Sequence, residues 1–567
     1  MLNQLRPLGL LIAVAALSAF VIACGGGDDP TATASAAPSS GTATAEPTAA
    51  EATGEPSTGD DRVVVTLAPP HVETFRPWAS TWGFYFQHDP FMDTLLRNDP
   101  NTASAIPGLA EAWEVSSDFT TWTMHLREDV QFHDDWGELT ARDVVHTVDL
   151  ITREDSIDDF KAIWDGTTLE VVNDHELNIH FEDPFLDGEI LFSQRQGDTY
   201  IFSVAQWESE GAEGLDAKPA GTGPYEVAER RLGESILYTE WDQPHWSGVD
   251  PDFSELEFAF ASENSTRLAM LRTGEAQIGD ISPELHSDAV QHGLEVLTSE
   301  QVNMQTNIWL GGLWFADDDP ALDMNVPWTD VRVRQAMNKA IDRDELIEEV
   351  YNGRASKNII HGWYPLHEGW NPEWAERFDE EYGYDPQGAR DLLEAAGYGP
   401  GEMEFVLYVF VLGGQSENPL VAEALQLYWE DVGIDVELRN LEWDQVHPMQ
   451  REQELKDGGF IIRNQPIRTT QEFIRNTLYT GPGSAELRMY THDFIDERFP
   501  QYLDSTDLNE RDQLAREMGN HMFENFTDIR LVQKFRELVV DPNEVEWVIP
   551  GVGPSGLMHF RHIQAVR

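Results

Sequence analysis

The 567-residue chain contains a single cysteine, Cys24, and only six lysines: Lys161, Lys218, Lys339, Lys357, Lys456 and Lys534. One cysteine excludes an intramolecular disulfide, a cysteine-based zinc site and a CxxC redox pair. Basic residues are outnumbered, with 37 Lys and Arg against 102 Asp and Glu, and the formal charge at pH 7 is −65. A field of that sign excludes nucleic acid as a partner and argues against adhesion to anionic lipid through charge. It reads as a solvated acidic surface, suited to salt or to an outside environment. Beyond the amino terminus no stretch approaches the ~20 apolar residues needed to cross a bilayer. There is no Gly-x-Ser-x-Gly elbow, no His-Glu-x-x-His helix and no phosphate loop. Paired carboxylates stay open, because 102 acidic residues guarantee chance pairs.

What is present begins with a processing segment at residues 1–23. Arg6 and the amino terminus supply positive charge, and Leu8 to Ala19 supply a short apolar core. Val21-Ile22-Ala23-Cys24 then reads as a lipoprotein cleavage box, with Cys24 as the lipidated first residue of the mature chain. A plain secretory signal or a membrane anchor are the alternatives; the shortness of the apolar run and the cysteine followed by Gly25-Gly26-Gly27 favour the lipoprotein. Such a chain is anchored to a membrane without spanning it. Residues 24–61 are Thr, Ala, Ser, Pro, Gly and acid with no apolar period, a tether reaching about 30–35 Å as a flexible coil.

From Arg62 onward about 500 residues remain, too many for one core, so two or more lobes are expected. Val63 to Leu67 has strand length. Trp122, Met124 and Leu126 alternate with polar residues, as do Leu177, Ile179 and Phe181. Thr140 and Asp143 make a capping-box pattern before Val144, Val145, Val148 and Leu150. Gly274, Gly353, Gly397 and Gly433 are placed to stop helices, and Asp385-Pro386 and Asn418-Pro419 to start them. Val333, Ala336, Met337, Ala340, Ile341, Ile347 and Val350 share one helical face, and the charges between them read as a wet face.

Several of these stretches, in order, resemble the extracellular solute-binding proteins of family 5, the peptide, nickel and oligosaccharide receptors of ATP-driven importers. They are Pro107-Gly108-Leu109-Ala110-Glu111-Ala112-Trp113 through Phe132-His133-Asp134, then Gly221-Thr222-Gly223-Pro224-Tyr225, Thr266 to Ala276, and Val331 to Arg343. The resemblance implies an α/β, two-lobed periplasmic-binding-protein-like fold of type II, with an extra subdomain inserted in the first lobe. The implied divisions are a first part of lobe I at 62–106, the inserted subdomain at 107–221, a second part of lobe I at 222–315, lobe II at 316–530 and a return to lobe I at 531–567. A resemblance to this family implies a non-enzymatic monomer that takes a small-molecule or oligopeptide ligand and hands it to the permease subunits of an ABC importer. It implies no cofactor and no resident metal. A secreted lipoprotein hydrolase and a ligand receptor for a membrane sensor are the alternatives.

The cleft residues implied are Trp82, Tyr85, Trp309, Trp363, Arg463 and Asn464. Where peptide-binding members carry an Asp-rich run, this chain has Arg463-Asn464 and Arg468. Arginine in a cleft favours carboxylate or phosphate and repels ammonium; otherwise Arg463 pairs with one of the many acids on the surface. The 18 tryptophans suit a sugar or an aromatic-flanked ligand, or the core. The 17 histidines are scattered apart from His559 and His562, so nickel ranks low.

Overall fold

The computed structural model describes residues 61–70, 72–79, 85–99, 104–158, 161–182, 184–194, 199–311, 326–365, 367–410, 417–451, 454–464, 469–481, 493–549 and 557–567. All lie in the compact unit Thr58–Arg567. The leader, Cys24, most of the tether and Trp82 lie outside the described residues.

The strand β1 (Arg62–Leu67) buries Val63, Val65 and Leu67. A separate antiparallel sheet follows, from β2 (Ala110–Val115), β3 (Thr121–Leu126), β4 (Thr167–Asn173) and β5 (Glu176–Phe181), in the order β2-β3-β5-β4. The alternation seen in the sequence is physical here: Trp122, Met124, Leu126, Leu177 and Ile179 point into one core. Helix α1 (Ala141–Ile151) closes that core with Val144, Val148 and Ile151. It starts where the sequence places it, because Asp143 Oδ2 accepts the Thr140 N–H at 2.8 Å. The other carboxylate oxygen accepts Val204 N–H at 2.9 Å, which ties α1 to the start of the helix Val204–Ala217.

Two of the sequence landmarks meet in space. His133 N–H donates to Gly221 O at 2.9 Å, and its Nε2 lies 2.8 Å from Gly223 O. Gly223 N–H in turn donates to Phe91 O at 2.9 Å. The chains approach so closely that a Cβ on Gly223 would lie 2.6 Å from the Phe91 carbonyl carbon and 2.8 Å from Pro90 O.

The first lobe continues with β6 (Tyr225–Arg231), β7 (Ser235–Glu240), β8 (Glu255–Phe260), α2 (Asn264–Thr273) and β9 (Ile278–Gly279). Gly274, at φ 75°, ends α2 as a left-handed cap. Strand β10 (Glu295–Leu310) then runs into the second lobe. That lobe holds α3 (Val331–Lys339), α4 (Arg343–Tyr351), β11 (Ala355–Lys357), α5 (Pro386–Ala396), β12 (Met403–Val409), α6 (Asn418–Asp431), β13 (Ile434–Asn440), α7 (Trp443–Arg451), β14 (Gly458–Asn464), α8 (Thr470–Thr477) and α9 (Leu508–Glu524). Strand β15 (Ile529–Val540) returns to the first lobe.

Among the described residues the main sheet reads β13-β12-β14-β10-β15-β9-β1-β8-β7-β6, with β11 beside β15. The chain is thus α/β with two lobes joined by one pair of strands. β10 and β15 pair antiparallel from Glu295↔Val540 to Ile308↔Ile529, with register shifts between Thr298 and Asn307. At one end Leu538 and Val540 belong to the core around Val63, Phe258 and Trp547. At the other, Ile308, Leu531 and Val532 belong to the core around Trp328, Trp363 and Trp429.

The single helix expected over 331–350 is two helices. Asp342 interrupts it, its carboxylate accepting Glu345 N–H at 3.0 Å to start α4. The wet face expected between the apolar positions also needs correction. Arg334 and Arg343 are 5% and 3% exposed. Arg334 donates to the carbonyls of Trp328, Thr329, Asn525 and Phe526. Arg343 donates to those of Asn338, Tyr382 and Arg530. Carbonyls left over at chain turns need donors when buried, and a guanidinium supplies five.

The Gly223 contact generates a prediction. Gly223→Ala should destabilise the protein by about 3 kcal/mol, since every clashing atom is backbone and cannot rotate away. Urea unfolding measures it, with Gly233→Ala as comparison: there a Cβ meets no atom within 4 Å, leaving only the strain of φ +74°. Equal losses in the two variants would refute the close-approach explanation.

Candidate ligand-binding site

The second lobe has a parallel core of strands, with β12 pairing parallel to β13 and to β14. Each strand feeds a helix: β12 leads to α6, β13 to α7 and β14 to α8. The carboxyl edge of such strands, where helix amino termini gather, is the usual place for a ligand in an open α/β sheet. β10 lies beside β14 in the sheet and enters the lobe at this end, Gln305 opposite Asn464, Thr306 opposite Arg463, and Trp309 opposite Phe460.

Around β10 lies a cluster of buried polar groups. On one face are Gln305, Asn307 and Trp309, against which the 358–363 segment packs. Gln305 Nε2 donates to Ile360 O at 2.9 Å and its Oε1 accepts from Gly362 N–H at 2.9 Å. Asn358 Nδ2 donates to Asn307 Oδ1 at 2.5 Å. The Trp309 ring lies 5.7 Å from His361, which lies 4.7 Å from Phe473 of α8. Asn307 Nδ2, Trp309 Nε1, His361 Nε2 and Trp363 Nε1 have no hydrogen-bond partner among the described residues. Thr306 Oγ1, on the other face, also lacks one. A buried polar group left unpaired costs about 1–3 kcal/mol, so these groups, on β10 and on the segment packed against it, are open to a further partner such as water or a ligand.

His361 faces Asp528 Oδ2 at 3.6 Å. Burial nevertheless pushes its pKa down to about 4, against the pull of Asp528, so the ring is neutral at ordinary pH. With Nε2 unpaired, it can accept from or donate to a ligand according to its tautomer. On the Thr306 face, Lys534 of β15 donates to Glu417, the residue preceding α6. Asn418 Nδ2 caps the end of β12 through Phe410 O at 3.0 Å.

Glu368 stands beside α8, with its carbonyl accepting from Thr470 Oγ1 at 3.0 Å. Its carboxylate accepts from Tyr502 Oη and faces Arg511 at 3.5 Å. Burial pushes it up to about 7; Arg511 works against this, and Asp187, a residue of the first lobe, adds to it.

The six residues singled out from the sequence divide as follows. Trp309 is 9% exposed and sits in the cluster. Trp363 is fully buried, its ring 5.6 Å from Phe473 and 6.4 Å from Trp374, within the second-lobe core. Arg463 and Asn464 form the end of β14 against β10; their side chains lie outside what is described. Tyr85 begins a 3-10 turn, Tyr85–Gln87, in the first lobe, and its side chain is likewise outside the description. Trp82 lies outside it altogether. Sequence reasoning missed Asn307, Asn358, His361 and Glu368. The strand carries four alternating amides, Gln301, Asn303, Gln305 and Asn307, so nothing local singles out Asn307.

His559 and His562 are close, with ring centroids 5.8 Å apart. Burial and the neighbouring Arg97 guanidinium lower both, His562 to about 3, and Arg97 NH2 lies 2.9 Å from His562 Nε2. A site facing two arginines, Arg97 and Arg561, repels a divalent cation. Among the described residues no group of three or more His, Cys, Asp or Glu could hold a metal ion.

Residues 104–467 match the family model of bacterial extracellular solute-binding proteins, family 5. The chain belongs to that family. It is 28% identical over 405 residues to the dipeptide-binding protein of Escherichia coli (strain K12), covering 65% of this chain and 70% of that one. It is 26% identical over 380 residues to heme-binding protein A of Haemophilus influenzae, covering 62% and 65%. In three dimensions it is similar to NikA from Brucella suis, solved in complex with Fe(III)-EDTA, with a TM-score of 0.73 at 21% identity over 89% of this chain and all of that one. The two-lobed periplasmic-binding-protein-like fold is therefore that of this family-5 protein.

The Glu368 shift has a definite sign. A carboxyl raised from 4.5 to about 7 keeps a proton in the fold that the unfolded chain has lost, so stability falls as pH rises across that interval. Glu368→Gln should flatten this slope and be more stable than the parent at pH 8. Urea midpoints at pH 5 and pH 8 measure it; parallel slopes in the two proteins would refute the assignment.

Proposed function

We propose that this family-5 protein is an extracytoplasmic solute-binding lipoprotein. It captures a small solute, an oligopeptide or a similar amide-bearing molecule, between its lobes and passes it to the permease of an ABC importer. The observation that carries the ligand reading is the set of unpaired buried groups along β10. Two of them, Asn307 Nδ2 and Trp309 Nε1, are donors, suited to carbonyl or carboxylate oxygens. Arg463, expected in the cleft from the family resemblance, would add a preference for a carboxylate. The family membership and the dipeptide-binding relative agree with this reading. The protein itself performs no chemistry: closure is driven by contacts better made in the closed state. Lipid on Cys24 holds it at the outer face of the membrane as a monomer, and the tether lets the body move above it. The family resemblance adds Trp82 and Tyr85 to the ligand-binding residues of this reading.

A thermal-shift screen with dipeptides, tripeptides, oligosaccharides, organic acids and chelated nickel tests the ligand class. A ligand at about a hundred times its dissociation constant adds roughly 2.7 kcal/mol, enough to move the melting point. Peptides are expected to shift it and to be recovered intact by mass spectrometry, and Trp309→Ala should weaken the shift. Shifts confined to sugars or to nickel would overturn the peptide reading, and recovery of a cleaved peptide would overturn the non-enzymatic one. Cys24→Ser should release the protein from cells into the medium; continued membrane retention would refute the lipid anchor.

A further inference from the structure

The edge of β15 that faces away from β10 changes partner where the chain passes between the lobes. Val539 and Val540 pair with β9 of the first lobe. Val532, Gln533 and Lys534 pair with β11 of the second. Between them, Phe535 to Leu538 have a strand on the β10 side only, and β10 itself has register shifts next to them. Among the described residues this is the most thinly paired length of the ladder that joins the two lobes, and hinges form where backbone pairing is thinnest.

Side chains span this gap. In the turn between α4 and β11, Asn352 and Gly353 are both left-handed, at φ 53° and 74°. The turn holds Asn352 Nδ2 3.4 Å from Pro283 O of the first lobe. The next residue, Arg354, places NH1 3.2 Å from Glu537 Oε1 on β15. The other oxygen of Glu537 lies 3.9 Å from Nδ1 of His286, a contact that becomes an ion pair only when the ring is protonated; the ring's Nε2 is held 2.9 Å from Ile281 O in the first lobe. Glu537 is 13% exposed at its side chain, so these contacts are partly shielded from water. Arg536, next in the chain, faces Asp280 of the first lobe at 3.2 Å.

We propose that the Asn352–Arg354 turn is a hinge latch, docking the second lobe on Pro283 and His286 of the first through Glu537 and limiting how far the lobes open. The latch lies beside the crossing strands and not among the groups that would meet a ligand. It therefore sets the ligand-free balance between open and closed forms, and apparent affinity follows the fraction of the competent form.

The test uses the full chain with Cys24→Ser, spin-labelled at Leu232→Cys in the first lobe and Leu427→Cys in the second. Both sites are well exposed, at 69% and 52%. Pulsed electron-spin distances are read without ligand in the parent, in Arg354→Ala, in Glu537→Gln and in Asn352→Gly, which keeps the left-handed turn. Each variant should move the population toward longer distances by about 2- to 5-fold, the scale of one partly exposed ion pair. Arg354→Ala should add little to Glu537→Gln in the double variant. Circular dichroism establishes folding, and the half-exposed Arg354 decides alone if Glu537→Gln unfolds. Distances that stay unchanged or become shorter in folded Arg354→Ala would overturn the latch.

Discussion

The antiparallel ladder between β10 and β15 is the constraint on which the rest depends. It is the only strand pairing that passes from one lobe to the other among the described residues. Its two ends are buried in different hydrophobic cores, so each lobe is anchored by apolar contact, while Lys534, Arg536 and Glu537 along the middle of β15 make ion pairs. That division gives the molecule two separate cores on one continuous strand pair, the arrangement on which a hinge between lobes is built. It also places polar side chains of a central strand, Gln305, Asn307 and Trp309, where a purely structural strand would carry aliphatic ones.

Buried charge is spent on holding distant segments together. In the first lobe, Asp93 joins four parts of the chain. It faces Arg561 at 2.5 Å and accepts from Thr222 Oγ1 at 3.0 Å, Trp246 Nε1 at 2.9 Å and His245 Nε2 at 3.1 Å. Burial works to raise its carboxyl, but Arg561 and His245 hold it well below the usual range. The last residues of the chain are thereby part of the first lobe's framework. In the second lobe Arg334, Arg343 and Arg530 do comparable work through carbonyls, and Arg530 donates to Ile359 O at 2.8 Å beside the candidate site. Partners of this kind are satisfied on several sides, which fixes geometry more than it adds stability.

Much of the fold was legible because its signals are local. The Thr140–Asp143 cap, the left-handed stops at Gly274 and Gly397, and the alternation of Trp122, Met124 and Leu126 each depend on a few neighbouring residues. The site was legible only in part. Trp309 was readable as a candidate, but Trp363, chosen on the same grounds, is packed in the core, since aromatic residues serve both purposes. His361 and Glu368 gave no sign in the sequence, because what sets their protonation is burial by segments more than a hundred residues away.

By itself the sequence determined the composition-level limits: one cysteine and therefore no disulfide, a charge of −65, an α/β pattern and the landmarks of a two-lobed receptor. Those follow from covalent chemistry, from counting charge and from short-range periodicity. The tertiary structure alone decided which charges are buried and which polar groups go unpaired. It also decided that the Asn352–Arg354 turn meets Glu537 across 183 residues of chain. Such facts depend on which faces of which elements come together, and no local pattern carries that information.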